Sequence, residues 1–291
     1  MDSSRPGPIR GISILVPARN EEKNIEKCLR TLAWSDDIWV IDSNSGDRTV
    51  EIAQRMGAHV AQFRWDRQGP RKKNWALKNI PWKHDWVLIV DADEEVTPAL
   101  AEEIKRVCAN TDKAGFQIRY DYYFLGRALR HGDPLWKFIL MRHAVARYEM
   151  VNVPDVTGYD VELHEQPIVE GEVGRLRNKM IHRDNDDLHH FFARHNIYSD
   201  WEALLLTKYG DLNGGEVVPR LFGDKIQRRR WLKRTFLKLP GKPFIYFLYS
   251  YIGRLGFLDG RPGFIYQALK SCYWYQVSAK KYEIRASARR A

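Results

Sequence analysis

Asp91 and Asp93 leave the end of the apolar run Trp86–Val90. Their spacing puts both carboxylates on one side of an extended chain, where they can converge on one cation. A hard divalent ion such as Mg²⁺ or Mn²⁺ takes oxygen ligands of this kind together with substrate phosphates, and it would neutralise a pyrophosphate leaving group. A plainer reading stays open beside it. Asp93, Glu94 and Glu95 also precede a helix that Thr97 would cap with Pro98 at its first position, where negative charge suits the helix dipole. Two more polar segments follow apolar runs in the same way. Pro17 to Glu22 offers backbone donors and Arg19, and Asp42 ends the run Ile38–Ile41, where a carboxylate can accept hydrogen bonds from a base or ribose. Singly, each is an ordinary turn or cap; in this order they point to one ligand edge.

The elements that would hold these loops alternate. Ile12–Pro17 reads as a strand, and Ile25, Leu29 and Leu32 recur at helical spacing. Ile38–Ile41 repeats the strand, and a helix with Val50, Ala53 and Met56 on its buried face follows. His59–Phe63, a short helix over Lys72–Asn79 and the strand Trp86–Val90 continue the pattern. Alternation of this type predicts an α/β fold, a mostly parallel sheet flanked by helices, with ligands at the carboxyl ends of the strands. After Ala109 it gives way to β-like stretches at Gly115–Phe124, Trp136–Met141 and Val145–Val151, expected to form an acceptor-side extension, and then to a helix over Leu188–Tyr209.

Three segments, Ser13-Ile-Leu-Val-Pro-Ala-Arg-Asn-Glu-Glu, Val40-Ile-Asp-Ser-Asn-Ser-Gly-Asp-Arg-Thr and Trp86-Val-Leu-Ile-Val-Asp-Ala-Asp-Glu, together resemble the inverting family-two glycosyltransferases of GT-A (Rossmann-like) fold. The resemblance implies that Pro17, Ala18, Arg19, Glu21 and Asp42 hold the nucleotide of a nucleotide-sugar donor, UDP by preference, together with Asn74, Asp91 and Ala92. Asp91 and Asp93 would form a DXD motif for Mg²⁺ or Mn²⁺. Leu163-His164-Glu165, His182-Arg-Asp, Asn196-Ile-Tyr-Ser and Gly256-Phe-Leu-Asp-Gly-Arg-Pro-Gly-Phe look like the bacterial lipopolysaccharide-core subgroup, which implies a glycan or glycolipid acceptor. Inverting transfer needs a base for the acceptor hydroxyl. By resemblance that base is Glu165, with His164 orienting it or contacting the donor; Asp160 and Glu162 remain alternatives. His182 with Asp184 would contact phosphate or metal, or be a surface histidine and a helix cap. The QxxRW motif of processive relatives is missing, so transfer of a single sugar is expected.

The net charge of +10 sits at one end of the chain. From Pro219 onward 17 Lys and Arg face only Asp224, Asp259 and Glu283, leaving residues 1–218 at about −4. A nucleic-acid binder would spread its basic charge over the folded domain, so no nucleic-acid partner is expected. The expected division is therefore a catalytic domain over 1–218 and a helical, basic and aromatic C-terminal extension over 219–291. That extension would either dock on an anionic cytoplasmic leaflet or pack on the catalytic domain. The odd, scattered Cys28, Cys108 and Cys272 read as buried thiols of a cytoplasmic protein. No apolar stretch reads as a signal peptide, and the longest apolar run, Phe244–Ile252, is too short to span a bilayer. Attachment would then be peripheral. Two other function classes compete. A nucleotidyltransferase would favour a glycine-rich phosphate loop, which Pro17–Glu22 lacks; a non-enzymatic basic membrane-binding module would bind without turnover.

Overall fold

The computed structural model describes residues 11–66, 70–132, 135–149, 167–183, 187–208, 218–223 and 225–290. It divides the chain into two compact units. The first takes in Met1–Tyr123, Pro134–Tyr148 and Glu165–Asp184; the second takes in Phe124–Asp133, Glu149–His164 and Asn185–Ala291.

In the first unit the chain runs β1 (Ile12–Ala18), α1 (Ile25–Leu32), β2 (Ile38–Asp42), α2 (Thr49–Arg55), β3 (His59–Gln62), α3 (Lys72–Asn79), β4 (Trp86–Ile89), β5 (Glu94–Val96) and α4 (Pro98–Ala109). Strands β3, β2, β1 and β4 lie side by side and parallel. Strands β1, β2 and β4 are near-continuous apolar runs, as strands covered on both faces are, and Ile14, Leu15, Val40, Ile41, Trp86, Val87 and Leu88 are wholly buried; the edge strand β3 is only part-buried. The face of α2 differs by one position from the sequence expectation. Thr49, Ile52 and Ala53 turn inward while Val50 is only half-buried, because the helix starts at Thr49.

Thr97 caps α4 as its sequence predicts, its hydroxyl accepting from the Leu100 N–H at 3.2 Å, with Pro98 opening the helix. Thr97→Ala should therefore cost about 1 kcal/mol in chemical denaturation, and an unchanged midpoint would mean the cap is replaceable by water.

Beyond α4, β6 (Gly115–Phe124), β8 (Trp136–Arg142) and β11 (Val173–Arg183) continue the same sheet, so two of the stretches read as an acceptor-side extension belong to it. Strands β9 (Ala146–Tyr148) and β10 (Pro167–Val169) pair with each other as a separate two-stranded sheet, and β7 (Arg127–Leu129) falls in the second unit. The order runs β3-β2-β1-β4-β8-β6-β11-β5, with β8 antiparallel to β4 and β6, and β5 antiparallel to β11. So β5, only a short turn after β4 in sequence, lies four places along the sheet from it. Lys137 on β8 nevertheless reaches Glu94 on β5 at 2.5 Å. Three inter-strand steps in a flat sheet would separate those strands by about 14 Å, so the sheet curls around the point where β4 ends.

The second unit is mainly helical: α5 (Leu188–Lys208), α6 (Lys225–Lys238), α7 (Lys242–Phe247) and α8 (Gly260–Ala288). Ala203, Leu206, Leu237, Tyr273 and Val277 form its core, and the Tyr273 hydroxyl donates to buried Glu202 at 2.5 Å. The Gly256–Gly263 motif has a structural use here. Asp259 is buried and accepts the Arg130 and His131 backbone N–H groups at 2.9–3.1 Å, and a Cβ at Gly263 would meet the Gly256 carbonyl at 2.6 Å. Cys28 and Cys108 are buried as expected, but Cys272 is exposed on α8. Among the described residues no helix is long and apolar enough to cross a membrane.

Candidate active site

The carboxyl end of β4 carries a charged cluster whose members come from four strands. Asp91 follows β4, and a turn closed by the Glu94 N–H on the Asp91 carbonyl (2.9 Å) starts β5. Register does the rest. Glu94 lies opposite His182 across the β5–β11 pair, and His182 lies opposite Tyr122 across β11–β6. Lys137 comes from β8, the neighbour of β4.

Glu94 is the anchor. It is 1% exposed and accepts from the Asp91 N–H (3.1 Å), the Tyr120 hydroxyl (3.1 Å) and the Lys137 ammonium (2.5 Å), with His182 Nδ1 at 3.4 Å. A buried carboxylate is tolerated only with partners of this kind. Lys137 also donates to Asp91 at 2.6 Å. Burial works against the Lys137 ammonium, but Asp91 and Glu94 more than compensate and hold its pKa well above the usual lysine range. Burial likewise opposes ionisation of Asp91; Lys137 and Lys73 overcome it and hold the carboxyl well below the usual carboxylate range.

Asp93 behaves oppositely. Burial is the main cause that pushes it up, Glu94 and Asp91 add to this, His182 works against it, and the result is about 7. Its nearest cation is His182, whose Nε2 lies 3.5 Å from Oδ2. Burial disfavours the His182 imidazolium, yet Glu94 and Asp93 raise its pKa on balance, and the ring stacks on Tyr122 with centroids 5.1 Å apart. Ligand atoms of Asp93, Glu94 and His182 lie within 4.8 Å of one another. Carboxylate and imidazole donors suit a divalent cation, and a carboxylate crowded by two others gains from one. Glu94 has its oxygens engaged already, so Asp93 and the facing Nε2 of His182 are the donors that an ion would draw on. Asp91 keeps 36% side-chain exposure beside them.

The two other polar loops meet at the neighbouring strand ends. Asn20, at φ 55°, accepts the Gly46 N–H on its side-chain oxygen (2.9 Å) and gives its own N–H to the Ser45 hydroxyl (2.8 Å). Glu21 N–H donates to Thr49 (2.7 Å) and Glu22 N–H to Asp47 (3.1 Å). Asp42 is fully buried and accepts from Ser45 N–H (2.9 Å) and hydroxyl (2.5 Å). Pro17 and Ala18 end β1, Arg19 is exposed, and Ala92 is buried in the turn between Asp91 and Asp93. Asn74 spends its amide on the Tyr148 backbone, donating to the carbonyl at 2.8 Å and accepting the N–H at 2.7 Å. His164, Glu165, Asp160, Glu162 and Asp184 lie outside the described residues.

Sequence reasoning missed Lys137, Tyr120 and the role of Glu94. One signal was present: Lys137 is a lone cation inside the apolar run Leu135–Met141, and a charge in a core strand requires a partner.

The model of Glycosyl transferase family 2 matches residues 13–166, more than half of the chain. The chain belongs to glycosyltransferase family 2. It is a glycosyltransferase with the expected α/β fold, its sheet parallel over β3-β2-β1-β4 and mixed beyond. Lipopolysaccharide core biosynthesis glycosyltransferase LpsC of Rhizobium meliloti is 25% identical to it over 284 residues, covering 93% of this chain and 94% of that one. An uncharacterized glycosyltransferase of Rickettsia bellii is 26% identical over 208 residues, covering 68% of each. Among solved structures, glucosyl-3-phosphoglycerate synthase from Mycobacterium tuberculosis, in complex with Mn²⁺, UDP and glucosyl-3-phosphoglycerate, is 24% identical with a TM-score of 0.32. That likeness covers 39% of this chain and 44% of that one, so the chain spans less than half the length of that structure.

Proposed function

We propose that this family-two glycosyltransferase moves one sugar, with inversion, from a nucleotide-sugar donor, UDP by preference, to a glycan acceptor of the lipopolysaccharide-core type. The observation that carries the reading is the convergence of Asp93, Glu94 and His182 beside Asp91 at the end of β4. A donor diphosphate and its cation would bind at this cluster. The kinship to LpsC along nearly the whole chain supports the acceptor class.

Asp93 and His182 would hold Mg²⁺ or Mn²⁺, with Asp91 beside them, and the ion would supply charge neutralisation for the departing nucleoside diphosphate. Glu94 orients the set by fixing His182 and Lys137. Asp42, Arg19, Glu21, Pro17, Ala18 and Ala92 would hold the nucleotide. Asn74 would act from behind, by holding the Tyr148 backbone. Lys73, whose charge acts on Asp91, comes from the same helix.

Glu165 is the proposed base, with His164 its neighbour. Glu165→Gln should keep donor affinity and lose turnover by on the order of 10²-fold or more; unchanged turnover would move the base elsewhere. The exposed Phe244, Tyr249, Ile252, Phe257 and Leu258, with Arg254 and Arg261 exposed among them, support peripheral contact with an anionic membrane, where the glycolipid acceptor would lie.

The deciding experiment is calorimetric titration of a panel of nucleotide sugars with and without Mn²⁺, beside the Asp91→Ala/Asp93→Ala variant. One binder that needs the metal and is lost in the variant is expected; no nucleotide sugar bound under any metal condition would sink the donor assignment.

A further inference from the structure

A cavity of about 370 Å³ lies wholly within the helical unit. Its wall holds Arg234 and Lys238 of α6, Lys242 of α7, and Lys281 and Arg285 of α8, with Leu206, Leu237, Ser278 and Tyr282 completing the lining and no acidic residue among them. The cations are brought together by helix geometry. Arg234 and Lys238 are four apart on α6, and Ser278, Lys281, Tyr282 and Arg285 follow one another along a single face of α8. The turn between α6 and α7 passes through Gly241 at φ 66° and swings Lys242 onto the third side; its ammonium donates to the Leu237 carbonyl at 3.2 Å.

This arrangement opposes itself. Like charges four apart on a helix repel, and both helices place such a pair here. None of Lys238, Lys242, Lys281 and Arg285 has a carboxylate within ion-pair distance among the described residues. Among the unit's described acids, Glu149 pairs with Arg230, Glu202 with Lys233 and Asp200 with Lys280, and Glu283, which lies between Lys281 and Arg285 on α8, forms no ion pair with the lining cations. Burial lowers the pKa of both Lys242 and Lys281, and Arg285 and Lys242 lower Lys281 further.

We infer that this cavity is a binding site for a phosphate-bearing ligand, a phosphomonoester or diphosphate group on a glycan, a lipid headgroup or a free anion. The guanidinium of Arg285 would supply the planar fork that matches phosphate oxygens, and the lysine ammonium groups would act as point charges around it. Ser278 and the exposed Tyr282 at the rim offer hydroxyls to whatever carries the phosphate. The site is independent of the donor reading, since every residue in it belongs to the helical unit.

The test is titration of inorganic pyrophosphate into the full chain with EDTA present, so that no divalent cation joins the anion to the acidic donor-site cluster. The same chain with Lys281→Glu and Arg285→Glu, and separately with Lys238→Gln and Arg285→Gln, provides the comparison. Saturable binding that weakens by roughly tenfold or more in both altered proteins is expected, the effect of removing one charge-assisted hydrogen bond. Circular dichroism melts keep the comparison meaningful, because removing mutually repelling cations should leave the melting temperature unchanged or higher. Absence of saturable binding, or equal binding in the altered proteins, would overturn the inference. A parallel arm uses phosphatidylcholine vesicles with and without phosphatidylglycerol. Vesicle binding lost with the same substitutions assigns the phosphate to a lipid headgroup, and vesicle binding unaffected by them assigns it to a soluble or glycan phosphate.

Discussion

Asp93→Ala should lower the transfer rate by about 10³-fold, the loss of several kcal/mol of charge stabilisation at the leaving diphosphate, and leave the fold intact. Most single substitutions in a charged cluster confound those two outcomes; this one separates them. Asp93 anchors no backbone group in the cluster, and burial together with Glu94 and Asp91 pushes its carboxyl up to about 7. A carboxyl raised from 3.8 to about 7 contributes stability that is fully present below 3.8 and lost as pH rises to about 7. Above that pH the charged form is the strained one. The melting temperature of the metal-free alanine protein relative to wild type should therefore rise with pH, from at or below wild type at acid pH to above it at alkaline pH. Initial rates with saturating donor and melts at two pH values read both effects; wild-type rates would end the assignment of Asp93, and a lower melting temperature at alkaline pH would mean the carboxylate is a structural partner.

The parallel half of the sheet was readable because its signal is local. Runs such as Ile12–Ala18 and Trp86–Ile89 are apolar at consecutive positions, and the intervening helices carry their own periodicity and, at Thr97-Pro98, their own start signal. The mixed half was not readable in the same way. Strand β11 alternates, with Leu176 and Met180 buried among charged neighbours, but nothing in its sequence says that it inserts between β6 and β5. That placement is set by pairing over long separations, such as His182 with Glu94.

The site divides along the same line. Asp91 and Asp93 stood out because they sit together at the end of a strong strand, and Asp42 and the Pro17–Glu22 loop for the same reason. Glu94 looked like a residue of the helix approach; the structure makes it the first residue of β5 and the most enclosed carboxylate of the cluster. The difference is tertiary. A glutamate a few residues past a strand end can face solvent or core, and only the curl that brings β8 and β11 around it decides which. His182 joined the cluster through that curl, so its sequence neighbourhood could not distinguish a surface histidine from a ligand.

The other large effect is on the scaffold. Lys137→Met should destabilise the protein by about 3 kcal/mol, the lower end of the range for breaking a buried ion pair by removing one partner. The lower end applies because the Lys137 side chain keeps 27% exposure and because the Tyr120 hydroxyl and the Asp91 N–H remain on Glu94 after the ammonium is gone. Methionine fills nearly the same space, so the loss reports charge rather than a cavity. Adding Glu94→Gln to Lys137→Met should return part of that stability, since the carboxylate left without its cation is then neutral; urea denaturation of the two single variants and the double variant gives the coupling directly. Additive losses would show that Lys137 and Glu94 act separately. Activity should fall with Lys137→Met even at temperatures where the protein is folded, because Lys137 also holds Asp91 ionised at the mouth of the site. A scaffold cation that keeps in place one acid after the central strand β4 and another on the edge strand β5 links the curl of that sheet to the charge the donor would meet.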